Sequence, residues 1–180
     1  MKYCTLRALS TLGLISLSSV LVSGCLSGSS SSSNDNDSAR TGTFVDSPVE
    51  GLSYRTNSTE GQTDAQGTFR YRQGESVDFS IGDLQLGSAS GATIISPKDL
   101  IPDAQDSSDP AAINLARLLQ SLDADGNLSN GIQLGEALQA SIDAFLTENP
   151  AFDISLDDTS DFETAVSTLL AHLNAQEVFS

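Results

Sequence analysis

Between Gly67 and Gly87 apolar and polar residues alternate with a period of two. "GTFRYR" sets Phe69 and Tyr71 on one face, "SVDFSIG" sets Val77, Phe79 and Ile81, and "DLQLG" sets Leu84 and Leu86. Residues two apart share one face of a strand, so these stretches predict half-buried strands with the other face in water. "DAQG" and "RQGE" between them carry the Gly and polar chemistry of tight turns, which makes successive strands antiparallel. After residue 110 the spacing changes. Leu115, Leu118, Leu119 and Leu122 recur as on one face of a helix. Strands gathered in the first half and helices in the second predict an α+β chain: a small antiparallel β-sandwich over 41–95 followed by a short helical domain over 111–180. The stretch 96–110 holds three of the five prolines and reads as the linker.

Three helices are expected. The first has Asp109 as N-cap and Pro110 at its first position, where a missing N–H costs nothing. The second runs from about Leu134 to Thr147, buries Leu134, Leu138, Ile142 and Phe145, and stops before Pro150. The third starts at "SDFE", where Ser160 and Glu163 have capping-box spacing. Its inner face carries Phe162, Val166, Leu169, Leu170 and Leu173.

The first residues follow a different logic. Lys2 and Arg7 precede the apolar "LSTLGLISLSSVLV", which is too short and too rich in Ser for a comfortable membrane span. Residues 1–24 have the form of a secretory signal peptide. They end in "LVSGC", which resembles the lipobox of bacterial lipoproteins. That resemblance implies acylation of Cys25, cleavage before it and anchoring to membrane lipid. With Leu26 next, it implies the bacterial outer membrane, on a face the sequence does not specify. Cys4 leaves with the signal, so Cys25 would be the only cysteine of the mature chain, and no internal disulfide is possible. Residues 25–40, "CLSGSSSSSNDNDSAR", cannot build a core and read as a tether reaching on the order of 20 Å.

The charge excludes one class of partner. The whole chain carries -16. Removal of 1–24 takes away Lys2 and Arg7, two of the eight basic residues, and leaves 24 acids against six bases, a net -18. Such a surface repels nucleic acid and anionic lipid, so no nucleic-acid partner is expected.

"FVDSPVEGLSYRTNSTEGQTDAQGTFRYRQGESVDFSIGDLQLG" resembles a prealbumin-like or carboxypeptidase-regulatory-like β-sandwich, a module found in adhesin-like surface proteins. The resemblance rests on Pro48, Val49 and Gly51, then on Thr63, Asp64, Ala65, Gly67 and Phe69. It implies structural roles for them: Gly67 permits the turn, Asp64 caps it and Phe69 enters the core.

No nucleophilic catalytic set emerges. His172 is the single His, near the end of the third helix, where a His commonly serves the dipole or the surface. Serine has no nucleophile-elbow context, and no phosphate-cradling loop is present. One stretch, "SLDADGNLSNGI", suggests a cation. Asp123, Asp125 and Asn127 match the first, third and fifth positions of an EF-hand loop, but Leu128 stands where Gly belongs and Glu136 falls two places late. Two readings stay open. One is a calcium site using Asp123, Asp125, Asn127 and Glu136. The other is a helix–helix turn capped by Asp and Asn, with Gly126 and Gly131 in left-handed conformations. The expected function is a lipid-anchored outer-membrane protein with a structural or interaction role, adhesin-like in one form, and no catalytic activity. The alternatives are a calcium-dependent module for a protein or glycan ligand, and an accessory subunit of an exported enzyme or envelope complex.

Overall fold

The computed structural model describes residues 38–45, 47–127 and 129–179. The signal-like segment, Cys25 and the tether up to residue 37 lie outside the described residues. Strand β1 (Ala39–Phe44) begins inside the stretch read as tether. The sequence hides this start for a physical reason. Gly42 occupies an inward position, and a Cβ there would meet the Phe69 ring at 2.3 Å. The ring of the neighbouring strand fills the space, so no apolar side chain marks β1 until Phe44.

The chain is α+β, with antiparallel-rich sheets followed by helices. Strand β1 pairs antiparallel with β5 (Thr68–Arg72) and parallel with β8 (Ile94–Ile95), in the order β5-β1-β8. A second sheet orders β4 (Glu60–Gln62), β3 (Ser53–Arg55), β6 (Ser76–Ile81) and β7 (Leu84–Ser90), all antiparallel. Phe69 and Tyr71, then Val77, Phe79 and Ile81, then Leu84 and Leu86 are buried, as the alternation predicts. The two sheets meet through aromatic rings. Phe79 lies 5.2 Å from Phe44 and 5.3 Å from Phe69, and Tyr54 lies 6.0 Å from Phe69. Each large apolar side chain taken fully out of water contributes roughly 1.5–3 kcal/mol, so this cluster dominates the sandwich.

A third, two-stranded pairing joins the halves. Strand β2 (Val49–Glu50) lies parallel to β9 (Ile132–Gln133), between residues more than eighty positions apart. The stretch 121–132 therefore leads from helix α1 (Pro110–Ser121) into a strand, and only then into α2 (Glu136–Glu148). The expected direct joint between two helices is corrected by this strand.

Helix α1 starts as expected. Asp109 accepts a hydrogen bond from the Ala111 N–H, and Pro110 opens the first turn. Helix α3 (Thr159–Ala175) starts earlier than "SDFE" suggests. Asp158 is the N-cap, accepting from the N–H groups of Ser160 and Asp161 at 2.9 and 3.0 Å. A carboxylate at the positive end of the helix dipole is the stronger cap, and it leaves Glu163 to bond Arg117 instead. Leu115, Leu118 and Leu119 of α1, with Leu122 at its C-cap, belong to the same core cluster as Phe79 and Ile81. Leu100, in a single 3-10 turn (Pro97–Leu100) inside the stretch read as linker, is buried in that cluster too.

Candidate functional site

Loop 121–132 is built from local hydrogen bonds. Asp125 Oδ1 accepts from the Asn127 N–H at 2.8 Å, and its Oδ2 accepts from the Asn130 amide at 2.7 Å. The Asn130 amide first, then the Asn127 N–H, holds the Asp125 carboxyl below its ordinary range. Asn127 Oδ1 accepts from the Ser129 N–H and hydroxyl. Gly126 adopts φ 63° and Gly131 φ 89°, both left-handed, as the turn reading expects. At Gly131 a Cβ would meet the Pro48 carbonyl oxygen at 2.5 Å, so glycine also permits the approach of β2 there.

Asp123 differs from the other loop acids. It is only 7% exposed. Its Oδ1 accepts from the Gln133 N–H at 3.0 Å, and the Ala124 N–H donates to the Gln133 carbonyl at 3.0 Å. These bonds fasten the end of α1 to β9. Oδ2 of Asp123 is buried without a hydrogen-bond partner. Glu136 is placed elsewhere. It opens α2 and lines a cleft of about 270 Å³ with Glu50, Gln62, Thr63 and Gln133, none of the other three predicted ligands being among its walls. Among the described residues no three His, Cys, Asp or Glu side chains gather to hold a metal ion.

The outer face of the four-stranded sheet is a second candidate. Cross-strand register arranges its polar side chains in two rows. Gln62, Ser53, Ser80 and Gln85 face one another across the strands, and so do Glu60, Arg55, Asp78 and Ser88. The first row carries only amides and hydroxyls. The second centres on Arg55, which pairs with Glu60 at 3.3 Å. Both side chains of that pair are largely exposed, so it contributes little to stability. A cleft of about 470 Å³ lies over these rows, lined by seven of the eight. Its chemistry is that of hydrogen-bond exchange with a polar ligand.

Sequence reasoning missed Gln139. On α2 it sits beside Leu138 and one turn before Ile142, and it is 8% exposed. Its Nε2 donates to the carbonyls of Gly51 at 3.0 Å and Leu134 at 2.9 Å. Its Oε1 accepts from Gln62 at 2.9 Å and from the Ser53 hydroxyl at 3.4 Å. The only signal was its place on an apolar helix face, where an amide needs partners.

His172 lies on the α2–α3 side of the molecule, its ring 5.1 Å from that of Phe145. It lines a cleft of about 460 Å³ with Ser141 and Glu148. Ser141 Oγ and His172 Nε2 are each without a hydrogen-bond partner, so the two do not form the nucleophile–base pair that acyl-transfer chemistry needs. Val166 and Leu170 are only partly buried, and they line a groove beside Arg117 and Phe162. The Arg117 guanidinium lies over the Phe162 ring at 5.4 Å. No helix among the described residues is long and apolar enough to cross a membrane. Comparison with family models, curated proteins and solved structures finds no match to this chain.

Proposed function

We propose that this protein is a lipid-anchored interaction module of the bacterial outer membrane, without catalytic activity of its own. The polar cleft across the outer face of the four-stranded sheet carries the interaction half of this reading. Antiparallel sheets commonly turn one polar face to water. Here that face also holds a cleft, and it presents amides, hydroxyls, one arginine and the carboxylates of Glu60 and Asp78 in two aligned rows. Such a surface suits a partner rich in hydroxyl or amide groups, which a protein or a glycan supplies. The anchoring half rests on Lys2, Arg7, the apolar run and "LVSGC". Several acyl chains hold a protein stably, because each buried methylene contributes about 0.8 kcal/mol. The tether then leaves the sandwich free to meet a partner near the bilayer.

The test is metabolic labelling with a fatty acid followed by membrane fractionation. The wild-type chain takes up label and stays with the outer membrane, and Cys25→Ser does neither. Equal labelling and membrane retention of Cys25→Ser overturns the anchoring. Protease shaving of intact cells then addresses display, and loss of the protein only after permeabilisation removes the adhesin-like form.

A further inference from the structure

Asparagine is a thermolabile residue, because the backbone nitrogen that follows it can attack its side-chain carbonyl carbon. A glycine in the next position puts no Cβ in the way. The chain holds one such pair, Asn130–Gly131, at the end of loop 121–132. Asn130 is exposed, and among the described residues the Gly131 N–H has no hydrogen-bond acceptor. The other described asparagines are placed differently. The Ser58 N–H after Asn57 donates to Thr56 Oγ1 at 3.1 Å. Asn114 and Asn174 lie in α1 and α3, where helical bonds occupy the following N–H. Asn149 precedes Pro150, which has no N–H, and Asn127 precedes the bulky Leu128. Gly131 is also fixed in place, since a Cβ there would lie 2.5 Å from the Pro48 carbonyl oxygen. The approach of β2 thus requires the residue that makes Asn130 reactive.

We propose that Asn130 is a site of spontaneous deamidation, and that its conversion loosens the β2–β9 seam. The Gly131 nitrogen gives up its proton and bonds to Asn130 Cγ. The Cγ–Nδ2 bond breaks, and the amide leaves as ammonia with that proton. The succinimide ring so formed then adds one water. Opening at one carbonyl gives aspartate, and opening at the other gives isoaspartate, in which the main chain runs through Cγ. Either product adds a negative charge. It stands where Asn130 Nδ2 now donates to Asp125 Oδ2 at 2.7 Å, so a hydrogen bond gives way to repulsion between carboxylates. Isoaspartate also lengthens the main chain by one carbon, two residues before Ile132. The Ile132 N–H donates to the Pro48 carbonyl at 2.8 Å, and Ile132 begins the pairing of β9 with β2. Added length at this point disturbs the register of a pairing only two residues long. Nothing in the inference depends on the membrane anchor or on the sheet cleft.

Storage of the detergent-solubilised full chain in mildly alkaline buffer, with a urea-unfolded sample alongside, tests it. Peptide mapping by mass spectrometry, with fragmentation that separates aspartate from isoaspartate, follows the reaction. The expected result is conversion at Asn130 in the folded chain ahead of every other described asparagine. The melting temperature falls as the converted fraction grows. Asn130→Gln keeps an amide but needs a larger ring to react, so it stays intact and its melting temperature holds through the same storage. Asn130→Asp carries the added charge from the start, and it melts lower than freshly prepared wild type. Asn130 that persists in the folded chain while it converts in urea overturns the proposal, because the fold then protects the pair. Earlier conversion at another described asparagine overturns it as well. So does an unchanged melting temperature in both the converted chain and Asn130→Asp, because the seam would then be indifferent to the loop.

Discussion

Removing the Gln139 amide should loosen the helices from the sheets. The side chain joins α2 to the turn before β3, to β4 and to the residue after β9. Three of its bonds lie at 2.9–3.0 Å, and each contributes about 1 kcal/mol net. Gln139→Leu keeps much of the volume but leaves the part-buried Gly51 carbonyl and the buried Leu134 carbonyl without this donor. A buried acceptor left bare costs about 1–3 kcal/mol. The expected loss is therefore about 3–4 kcal/mol, a large part of the stability of a small domain. Gln139→Glu sharpens the test. At neutral pH its carboxylate faces two carbonyls and donates nothing, so it should be worse than Leu. Desolvation and those carbonyls raise its folded pKa above the unfolded value near 4.3. The deficit is therefore full above the folded pKa and shrinks as pH falls through it, when the protonated acid donates one bond. Urea unfolding followed by tyrosine fluorescence and far-ultraviolet circular dichroism reads both effects. A Leu deficit below about 1 kcal/mol, or a Glu deficit that does not change with pH, refutes the reasoning.

Two further outcomes follow from the same seam and its neighbouring hairpin. Gly51 has φ 81°, and a Cβ there would lie 2.3 Å from the Leu134 carbonyl oxygen. Gly51→Ala should therefore cost more than about 2 kcal/mol in a urea melt, whereas Gly126→Ala, with nothing within 4 Å, should cost only about 1–2 kcal/mol of left-handed strain. Equal costs would show that the close approach is irrelevant. Asp64 accepts from the N–H groups of Thr68 and Gln66, and the Thr68 bond chiefly holds its carboxyl below the ordinary value of 3.8. A depressed folded pKa adds stability above the unfolded value, and that stability fades as pH falls through the folded one. Asp64→Ala should thus lower the urea midpoint at neutral pH, with the gap to wild type narrowing once pH drops below 3.8. A gap independent of pH removes the electrostatic part of this account.

The sequence was legible where one local rule decided the outcome. Period-two alternation located Phe69, Tyr71, Val77, Phe79 and Ile81 on the core face because a half-buried strand has no other way to arrange them. Asp109 followed by Pro110 marked the start of α1 for an equally local reason. What escaped was nonlocal or compensated. The β2–β9 pairing involves only two residues from each strand, too few for any periodicity, and the partners are far apart in sequence. Gly42 gives up its inward space to Phe69. Ser160 and Glu163 have the spacing of a cap, but Asp158, two residues earlier, offers the better acceptor. In loop 121–132 the alternate oxygens were visible. The burial of Asp123 was not, because it depends on β9 folding back onto β2.

That last point ties the loop to the sheet. Asp123 Oδ1 holds Gln133, and Gln133 lies opposite Glu50 in the parallel pair. The Leu134 N–H donates to the Glu50 carbonyl, and Gln139 then spans Gly51 and Leu134. These contacts form one connected path from the end of α1, across β9 and β2, to α2. Asp123→Ala would remove the acceptor of the Gln133 N–H that begins this path, and so would loosen the seam as well as the loop. Residues in one hydrogen-bonded network do not contribute additively. The cost of Asp123→Ala, read by urea unfolding, should accordingly be smaller in the Gln139→Leu background than in wild type, since the far end of the seam is already loose. Equal costs in the two backgrounds would mean that the loop and the α2 amide act separately, and that the Asp123 bond holds the loop without reaching the contact between helices and sheet.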